Sequence, residues 1–501
     1  MSDPSRGIAP PPTHGAVPST APDHHRHVRL WALLGFLGAT LVALMAFGVG
    51  YLEDGPRQWL ERHAAWTRES SGRYVARLSG LIGSLLMFVA WWRLRPSRRT
   101  RTEDGTEHAP GWGIPFRRIA LLWTLPFWPV PALLTADAYA YAAQGWLLHQ
   151  GLDPYVFAMG FPSPFAESVY PTWRPTTAVY PPLALHLQHL IVDLTGAHPY
   201  WAPVAMRLMA LAGFGLMLAV AAPLARTVGA GEQSALWFVA LNPLLLIQFI
   251  GGAHNDALMV GLIMLALWLA RTRFGLVTGC IVIGLAAAVK QPAVFAGLGV
   301  VLFNVLGEHR TPGSPVPWGR LAGRLVLGGA IGAATFLAVS APRGLWFGWL
   351  SENAGSPSLV INHSPLSWLA QGALALDAPV SVVDTVLTLT STALMIAAFI
   401  WVAGRWALTR PVRFTAGLLL AFGLLGAAIQ PWYILWGGPL LAFCHPTRRL
   451  VRIAGAITLM LLVSGVLQEY LSPAIVVPLG ALIAAAWWRW GARVTGAAQH
   501  S

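Results

Sequence analysis

Long apolar runs alternate with short polar segments along almost the whole chain. From Leu30 to Trp490 these runs repeatedly reach roughly 18 residues, enough for a helix to cross a hydrocarbon core of about 30 Å. The pattern predicts an all-α integral membrane protein with about 12–14 transmembrane helices. The predicted spans are residues 30–51, 76–93, 118–134, 200–225, 233–250, 256–270, 276–290, 292–307, 323–341, 380–403, 414–429, 431–444, 451–468 and 472–488.

Arginines concentrate in alternate connections between the spans. By the positive-inside rule, the segments predicted to lie inside are 94–117, 271–275, 308–322, 404–413 and 445–450. The long segments 135–199 and 342–379 carry one arginine each, Arg174 and Arg343, and are predicted to lie outside. The connection 52–75 carries four arginines and four acidic residues, which favours an amphipathic helix lying on the membrane.

The composition agrees with a membrane protein, because 55% of the 501 residues are hydrophobic and only 11% are charged. The net charge of +13 lies in short loops beside apolar runs, which indicates lipid head groups and excludes nucleic acid as the partner. The two cysteines, Cys280 and Cys444, are too few for a disulfide framework or a metal site. The predicted organisation is a disordered cytoplasmic tail at 1–29, one transmembrane domain at 30–490 and a second cytoplasmic tail at 491–501.

Polar residues near membrane depth concentrate on the predicted outer side, in the segments 135–199, 251–256, 342–379 and 430–433. Asp137 stands where an apolar run leaves the membrane. A carboxylate in such a place is a functional candidate by default, because it is costly unless hydrated or partnered. Aspartate is also a favoured helix N-cap, so both interpretations stay open.

Aromatic residues crowd the segment that follows Asp137. They are typical of an interfacial aromatic belt, and they are equally suited to stacking on the faces of sugar rings. The candidate substrate contacts in this segment are Tyr139, Tyr141, Gln144, Tyr155, Trp173 and Tyr180.

A second polar cluster, His254-Asn255-Asp256, links two spans. It could cap a helix or bind an acceptor hydroxyl or a phosphate, and two ligands alone do not make a metal site. Lys290 is the single lysine beside 32 arginines and precedes the helix breaker Pro292, which predicts an exposed helix end. There it is either a helix-terminal cation or a point charge for a lipid-linked phosphate. The remaining outer candidates are His363, Gln430, Trp432 and Tyr433.

From about Pro115 to about Leu441 the chain resembles the polyprenol-phosphomannose-dependent α-1,6-mannosyltransferases, which build the mannan core of lipomannan and lipoarabinomannan. The resemblance rests on four motifs. They are Asp137-Ala138-Tyr139-Ala140-Tyr141-Ala142-Ala143-Gln144-Gly145, Gly151-Leu152-Asp153-Pro154-Tyr155, Gly251-Gly252-Ala253-His254-Asn255-Asp256-Ala257-Leu258 and Pro431-Trp432-Tyr433. The chain departs from the usual family pattern at Tyr180-Pro181-Pro182, at Gln430 and around Asn362-His363.

The resemblance implies a GT-C fold and an inverting transfer of mannose from polyprenyl-phosphate-mannose to a mannan glycolipid on the outer face of the plasma membrane. Inversion requires a single base on the acceptor hydroxyl, and we assign that role to Asp137. Lys290 and Arg174 are assigned to the donor phosphate. No cofactor and no metal ligand is predicted, although a divalent metal stays open.

Three alternatives remain at this point. The transferred sugar could be arabinose or glucose, carried on the same kind of lipid phosphate. A transporter or flippase is a second alternative, but it usually shows internal repeats and broken helices at mid-membrane, and no clear repeat is present. A non-catalytic scaffold is the third, and it would leave Asp137 and Lys290 without a role.

Overall fold

The computed structural model describes residues 21–49, 69–96, 115–351, 364–468 and 471–497. The described residues form α-helices, short 3-10 and π turns and connecting loops, with no β-strand among them. We number the α-helices of at least five residues α1 (Ala21–Val49), α2 (Ser70–Arg93), α3 (Phe116–Thr124), α4 (Asp137–His149), α5 (Pro182–Leu194), α6 (Trp201–Ala205), α7 (Arg207–Thr227), α8 (Glu232–Ala240), α9 (Asp256–Leu269), α10 (Gly275–Val289), α11 (Ala293–Leu306), α12 (Trp318–Ser340), α13 (Pro365–Ala375), α14 (Val380–Val402), α15 (Pro411–Leu425), α16 (Arg448–Leu467) and α17 (Pro473–Ala497).

Seven helical segments in the described part of the chain have at least 18 residues and are apolar enough to cross a membrane. Five shorter apolar helices of 10–17 residues accompany them. The seven long apolar helices, in a described part of the chain that has no strand, confirm the predicted all-α membrane class. Four of the shorter helices, α9, α10, α11 and α15, are largely buried or half-buried, whereas Ile475–Arg489 is mostly exposed.

Two predicted spans are wrong as continuous helices. In the predicted span 118–134, α3 ends at Thr124 and a 3-10 turn, Leu125–Phe127, follows it. Prolines at 126, 129 and 131 explain the break, because each lacks a backbone donor and clashes with the preceding turn. In the predicted span 431–444 the chain forms two 3-10 helices, Pro431–Leu435 and Pro439–Phe443.

The ends of the transmembrane domain also differ from the prediction. Helix α1 begins at Ala21, within the predicted tail 1–29, and α17 continues to Ala497, within the predicted tail 491–501. An apolar helix readily continues past the membrane boundary, because its backbone hydrogen bonds are internal and its last turns tolerate polar side chains. Residues 1–20, 50–68 and 498–501, including most of the predicted surface helix 52–75, lie outside the described residues.

Small residues allow α7 and α9 to pack at very short range. A Cβ atom at Gly213 of α7 would lie 2.2 Å from the backbone of Ala257, and one at Gly261 of α9 would lie 2.3 Å from the carbonyl oxygen of Gly213. Ala257 and Gly261 are spaced by four residues, the small-residue spacing that brings membrane helices together. This contact matters for function, because α7 begins with Arg207 and α9 begins with Asp256.

Loops at one end of the molecule match the predicted inside set. Nε2 of His309 lies 3.0 Å from Nε2 of His445, and both atoms lie within hydrogen-bond distance of the Val228 carbonyl. The backbone N–H of Val412 donates to the carboxylate of Glu308. The connections 308–322, 404–413 and 445–450 therefore meet at one end of the helix bundle, away from the cluster of Asp137, Asp256 and Lys290.

Candidate functional site

A cavity of about 430 Å³ opens at the opposite end from the arginine-rich loops. Its polar lining comes from Asp137, Gln144, Lys290, Gln291 and Gln430. Its aromatic lining comes from Trp173, Tyr180, Trp432, Tyr433 and Trp436. On one flank the lining is apolar and includes Met395 of α14 and Phe422 of α15. The cavity therefore combines opposite charges, amides and rings with an apolar side.

Asp137 begins α4 at the inner wall of this cavity. The N-cap position is occupied by Ala136, whose side chain makes no capping hydrogen bond, so the N-cap interpretation of Asp137 is wrong. The backbone N–H of Asp137 donates to the Thr135 hydroxyl at 3.1 Å. Its carboxylate is buried, with Oδ2 3.3 Å from the hydroxyl of Tyr141. The other oxygen, Oδ1, has no hydrogen-bond partner in the part of the chain that the structure describes.

His254 approaches the same carboxylate from the segment before α9. Its Nδ1 atom lies 3.4 Å from Oδ2 of Asp137, and its ring stacks on Trp432 with centroids 3.9 Å apart. Burial by itself raises the pKa of Asp137, but His254 and then Lys290 outweigh burial and hold that pKa below its usual value. Asp137 is therefore an anion at neutral pH despite its position.

Two tyrosines extend the hydrogen-bond chain from Asp137. The Tyr180 hydroxyl donates to the Tyr141 hydroxyl at 3.4 Å, and the two rings meet edge to face with centroids 5.1 Å apart. Burial, followed by the neighbouring Tyr180 and Asp137, raises the pKa of Tyr141 well above its usual range. Tyr141 therefore keeps its proton and remains a hydrogen-bond donor to the carboxylate.

Asp256 and Lys290 form a buried ion pair beside the cavity. The Nζ atom of Lys290 lies 2.8 Å from both carboxylate oxygens of Asp256, and Nε1 of Trp436 donates to the same carboxylate. Helix α10 ends at Val289 as predicted, yet Lys290 is only 8% exposed, so the predicted exposed helix end is wrong. The lysine folds back into the protein because Asp256 compensates its charge there.

Three aromatic rings surround the ammonium group of Lys290. Its Nζ atom lies 5.6 Å from the ring centroid of Tyr180, 5.7 Å from that of Tyr433 and 5.5 Å from that of Trp436. Rings at these distances attract a cation through their negative faces. Lys290 also lines the cavity, so the ion pair with Asp256 stands beside the open space.

Backbone strain occurs on two segments, the one that precedes α4 and Asp137 and the one that precedes α9 and carries His254. Leu134 has φ 60° and Ala253 has φ 57°, values that side-chain-bearing residues seldom adopt. The two segments are joined by a hydrogen bond from the N–H of Leu133 to the carbonyl of Gly251 at 3.0 Å. A π-helical turn, Leu246–Gly251, immediately precedes the second segment. Strained residues and π turns concentrate at functional sites, where surrounding contacts hold them.

These observations can be compared with known proteins. The family model described as "Alpha-(1->6)-mannopyranosyltransferase, N-terminal domain" matches residues 32–306, more than half of the chain. The chain belongs to this family. The matched region includes the strained segments, the Asp137 helix and the Asp256–Lys290 pair, so most of the site described above lies within the family domain.

Two relatives in this family carry the same name. Alpha-(1->6)-mannopyranosyltransferase A of Mycobacterium tuberculosis is 32% identical over 66% of this chain and 62% of its own length. Alpha-(1->6)-mannopyranosyltransferase A of Corynebacterium glutamicum is 28% identical over 87% of this chain and 92% of its own length. This chain therefore spans less than two thirds of the mycobacterial relative.

A solved structure, that of ArnT from Cupriavidus metallidurans in the apo state, is also similar to this family member. The match covers 76% of this chain and 75% of ArnT at 17% sequence identity, with a TM-score of 0.37. A TM-score of this size does not establish a common fold.

Most of the site residues predicted from sequence come together. Eight of them line the cavity, namely Asp137, Gln144, Trp173, Tyr180, Lys290, Gln430, Trp432 and Tyr433. Three more, Tyr141, His254 and Asp256, contact Asp137 or Lys290 from behind the lining, and Asn255 accepts a hydrogen bond from the Tyr141 hydroxyl. Residues that are far apart in the sequence therefore form one site.

Of the four remaining predicted residues, three are described, and these three lie outside the lining of the cavity. Arg174 donates to the carbonyls of Val169 and Glu167 in its own loop, which satisfies its guanidinium away from Lys290. Tyr155 supports the site indirectly, because its hydroxyl donates to the carbonyl of Tyr180 at 2.8 Å. Tyr139 is buried but absent from the lining, and His363 lies outside the described residues.

The sequence analysis missed Arg207, which is 2% exposed at the start of α7. Its guanidinium donates to the carbonyls of Trp128 and Pro131 in one strained segment, and to those of Ile250 and Gly251 in the other. One buried cation thus ties together the segments that carry Asp137 and His254. The available signal was an arginine inside an apolar run, which is a functional candidate by default.

Proposed function

We propose that this protein transfers mannose, with inversion, from polyprenyl-phosphate-mannose to an α-1,6-mannan acceptor on the outer face of the plasma membrane. One observation carries the proposal. Three residues that line the cavity each present a buried polar atom that has no hydrogen-bond partner among the described residues, namely Oδ1 of Asp137, Oε1 of Gln144 and Nε1 of Trp432. Buried polar atoms are nearly always hydrogen-bonded, so this set is matched to a ligand rich in hydroxyl groups.

Asp137 is the proposed general base. Its Oδ2 atom is engaged by Tyr141 and His254, which orients the carboxylate, while Oδ1 stays available for an acceptor hydroxyl. As that hydroxyl oxygen attacks the anomeric carbon, its proton passes to Oδ1 and the bond between the anomeric carbon and the phosphate oxygen breaks. Such positioned proton transfer contributes about 10²–10⁴-fold to rate.

Lys290 is the proposed contact for the donor phosphate. An ammonium has three N–H donors, and the two oxygens of Asp256 engage it at 2.8 Å, so a donor remains for the phosphate. The contact helps catalysis because the departing polyprenyl phosphate gains charge as the glycosidic bond breaks. Asp256 reduces the net charge of the pair, so the phosphate meets a directed donor rather than a free cation.

The remaining lining fits the two parts of the donor. Trp173, Tyr180 and Trp432 offer ring faces for sugar stacking. Pro292, Met395 and Phe422 form an apolar flank suited to the first isoprene units of the lipid. Among the described residues that line the cavity, Asp137 is the one carboxylate, and inversion requires one base rather than the carboxylate pair of a retaining mechanism.

The test uses the purified full-length chain in nanodiscs, with polyprenyl-phosphate mannose carrying labelled mannose and a synthetic α-1,6-dimannoside. We expect a labelled trisaccharide with a new α-1,6 linkage, identified by NMR. A nucleotide-activated mannose should give no product. Product from polyprenyl-phosphate glucose or arabinose, but none from the mannose donor, would overturn the assignment of the sugar.

A vesicle experiment separates transfer from transport. Donor placed on one leaflet of a proteoliposome should stay there in the absence of acceptor. Movement of the donor to the other leaflet without glycosidic bond formation would instead identify a flippase.

A further inference from the structure

Two histidines and one aspartate meet outside the cavity, at the far end of α4. Nδ1 of His149 lies 2.6 Å from Oδ1 of Asp193, and Nε2 of His189 lies 3.2 Å from Oδ2 of the same carboxylate. The three side chains each offer one ligand atom, and these atoms all lie within 4.8 Å of one another. Among the described residues this is the one group of three or more metal-ligating side chains.

We propose that His149, His189 and Asp193 bind a divalent transition metal, with Zn²⁺ as the best match. Two imidazole nitrogens and one carboxylate are a common set of three protein ligands for zinc, with water as the fourth ligand. With zinc–ligand bonds of about 2.0–2.1 Å, tetrahedral ligands stand roughly 3.4 Å apart. The present separations are close enough that side-chain rotations alone reach this geometry.

The backbone favours such a site. His189 and Asp193 are four residues apart on α5, so they project from the same face of the helix. His149 is the last residue of α4, and α4 packs closely on α5, since a Cβ atom at Gly145 would lie 2.6 Å from the carbonyl of Gln188. The ligands are therefore carried by two helices that are already locked together.

The side chains can move as binding requires. The side chains of His149 and Asp193 are each 39% exposed, so they can rotate, while that of His189, at 16%, is the more fixed ligand. The unliganded cluster is stable as a histidine–carboxylate pairing, which zinc would replace.

Arg343 is a cation beside the cluster that could oppose the metal. Its Nη2 atom lies 3.4 Å from Nδ1 and 3.5 Å from Nε2 of His189. Nearly equal distances to both nitrogens are not the geometry of a directed hydrogen bond to either one, and Nε2 lies closer to the Asp193 carboxylate, at 3.2 Å. The guanidinium is also anchored elsewhere, because Nη1 donates to the carbonyl of Leu148 at 3.2 Å.

A metal at this position would join the C-terminal end of α4 to α5. Helix α4 begins with Asp137 and ends with His149, so the metal would fasten the far end of the helix that carries the proposed base. The site touches no residue of the cavity, and its existence does not depend on the proposed transferase activity. We therefore assign it a stabilising role.

The experiment measures zinc binding by the full chain, purified without a histidine tag and treated with a chelator. Isothermal titration with ZnCl2 should show one site per chain, and Co²⁺ should give the intense visible absorption of a four-coordinate ion. The variants His149→Gln, His189→Gln and Asp193→Asn should each weaken zinc binding by about tenfold or more and abolish the zinc-dependent rise in melting temperature.

Two controls make the result specific. His186→Gln lies on the same helix, but Nε2 of His186 is paired with the carbonyl of Val339, so zinc binding should be unchanged in this variant. Because His24, His25 and His27 could also bind zinc, a chain with all three changed to glutamine should retain the site. Zinc binding that is absent, or that follows the N-terminal histidines and survives His189→Gln, would show that the cluster is an ion pair only.

Discussion

Oδ2 of Asp137 lies 3.4 Å from Nδ1 of His254, and each residue follows shortly after a non-glycine residue in the left-handed region. The carboxylate begins one helix and the imidazole precedes another, so neither helix alone brings them together. Arg207 brings the two residues together, because it donates hydrogen bonds to main-chain carbonyls in the segment before each helix. This arrangement keeps one carboxylate oxygen oriented and the other available to a ligand.

Replacing Asp137 by asparagine should nearly abolish transfer. The amide keeps the shape but cannot accept a proton, so kcat should fall by about 10²–10⁴-fold with little change in the KM for the donor. Single-turnover assays with labelled donor measure this. Asp153→Asn is the matched control, because Asp153 accepts from the backbone N–H of Tyr155 in a turn, and it should remain active. An Asp137→Asn variant that keeps more than about a tenth of the activity excludes the base assignment.

The pH profile should reveal the coupling between Asp137 and His254. Burial raises the pKa of Asp137, and His254, the largest opposing influence, helps to bring it below the ordinary value. In the wild-type protein, the acid limb of the pH–activity profile, which reflects protonation of Asp137, should therefore lie below the usual carboxylate pKa. In the His254→Gln variant, the effect of burial on the pKa of Asp137 is less opposed. The acid limb of kcat/KM should therefore shift to higher pH. An unshifted limb would mean that His254 does not set the charge of Asp137.

The Asp256–Lys290 pair should show strong coupling in stability. Lys290→Met leaves a buried carboxylate without its cation and should cost about 3–5 kcal/mol, because an uncompensated buried charge is expensive. The double variant Lys290→Met, Asp256→Asn should recover much of that loss while still failing to use donor efficiently. Thermal unfolding in nanodiscs and the donor KM measure the two effects. Additive stability losses would contradict a direct ion pair.

Arg207 should be essential to the fold of the site. Arg207→Met removes the donor from several buried carbonyls, each costing about 1–3 kcal/mol when left unpaired. We expect a large drop in melting temperature and loss of activity. Arg226→Met is the control, because Arg226 forms a solvent-exposed pair with Glu232 and should change stability by about 0–1 kcal/mol. Equal losses of stability in the two variants would show that Arg207 does not have this structural role.

The sidedness of the membrane protein can be tested with single cysteines. The side chain of Glu167 is 81% exposed in a predicted outer segment, and Thr311 is exposed in a predicted inner loop. In intact cells an impermeant maleimide should label Glu167→Cys, and it should label Thr311→Cys only after lysis. Cys280 and Cys444 are buried and should give little background. The reverse labelling pattern would place the cavity on the cytoplasmic side.

Family motifs and chemical reasoning predicted much of the site, because each motif can be recognised from residues that are close together in the sequence. The sequence predicts Asp137, Gln144, Lys290 and Trp432 as site residues, and all four line the cavity. Arg174 shows the limit of this reasoning. A cation in a loop can bind a distant phosphate or its own backbone, and only the loop conformation distinguishes the two.

The sequence by itself determined the membrane class, the approximate spans and the grouping of loops, because hydrophobic length and arginine placement act locally on each segment. Only the tertiary structure decided that Lys290 is buried against Asp256, that Asp137 is paired with His254 and that Arg207 joins their segments. These contacts connect residues far apart in the chain, and their energies depend on burial and on distances of a few ångströms. The helix breaks within 118–134 and 431–444 also appear only in the tertiary structure, because hydropathy does not record where prolines end a helix inside a protein interior.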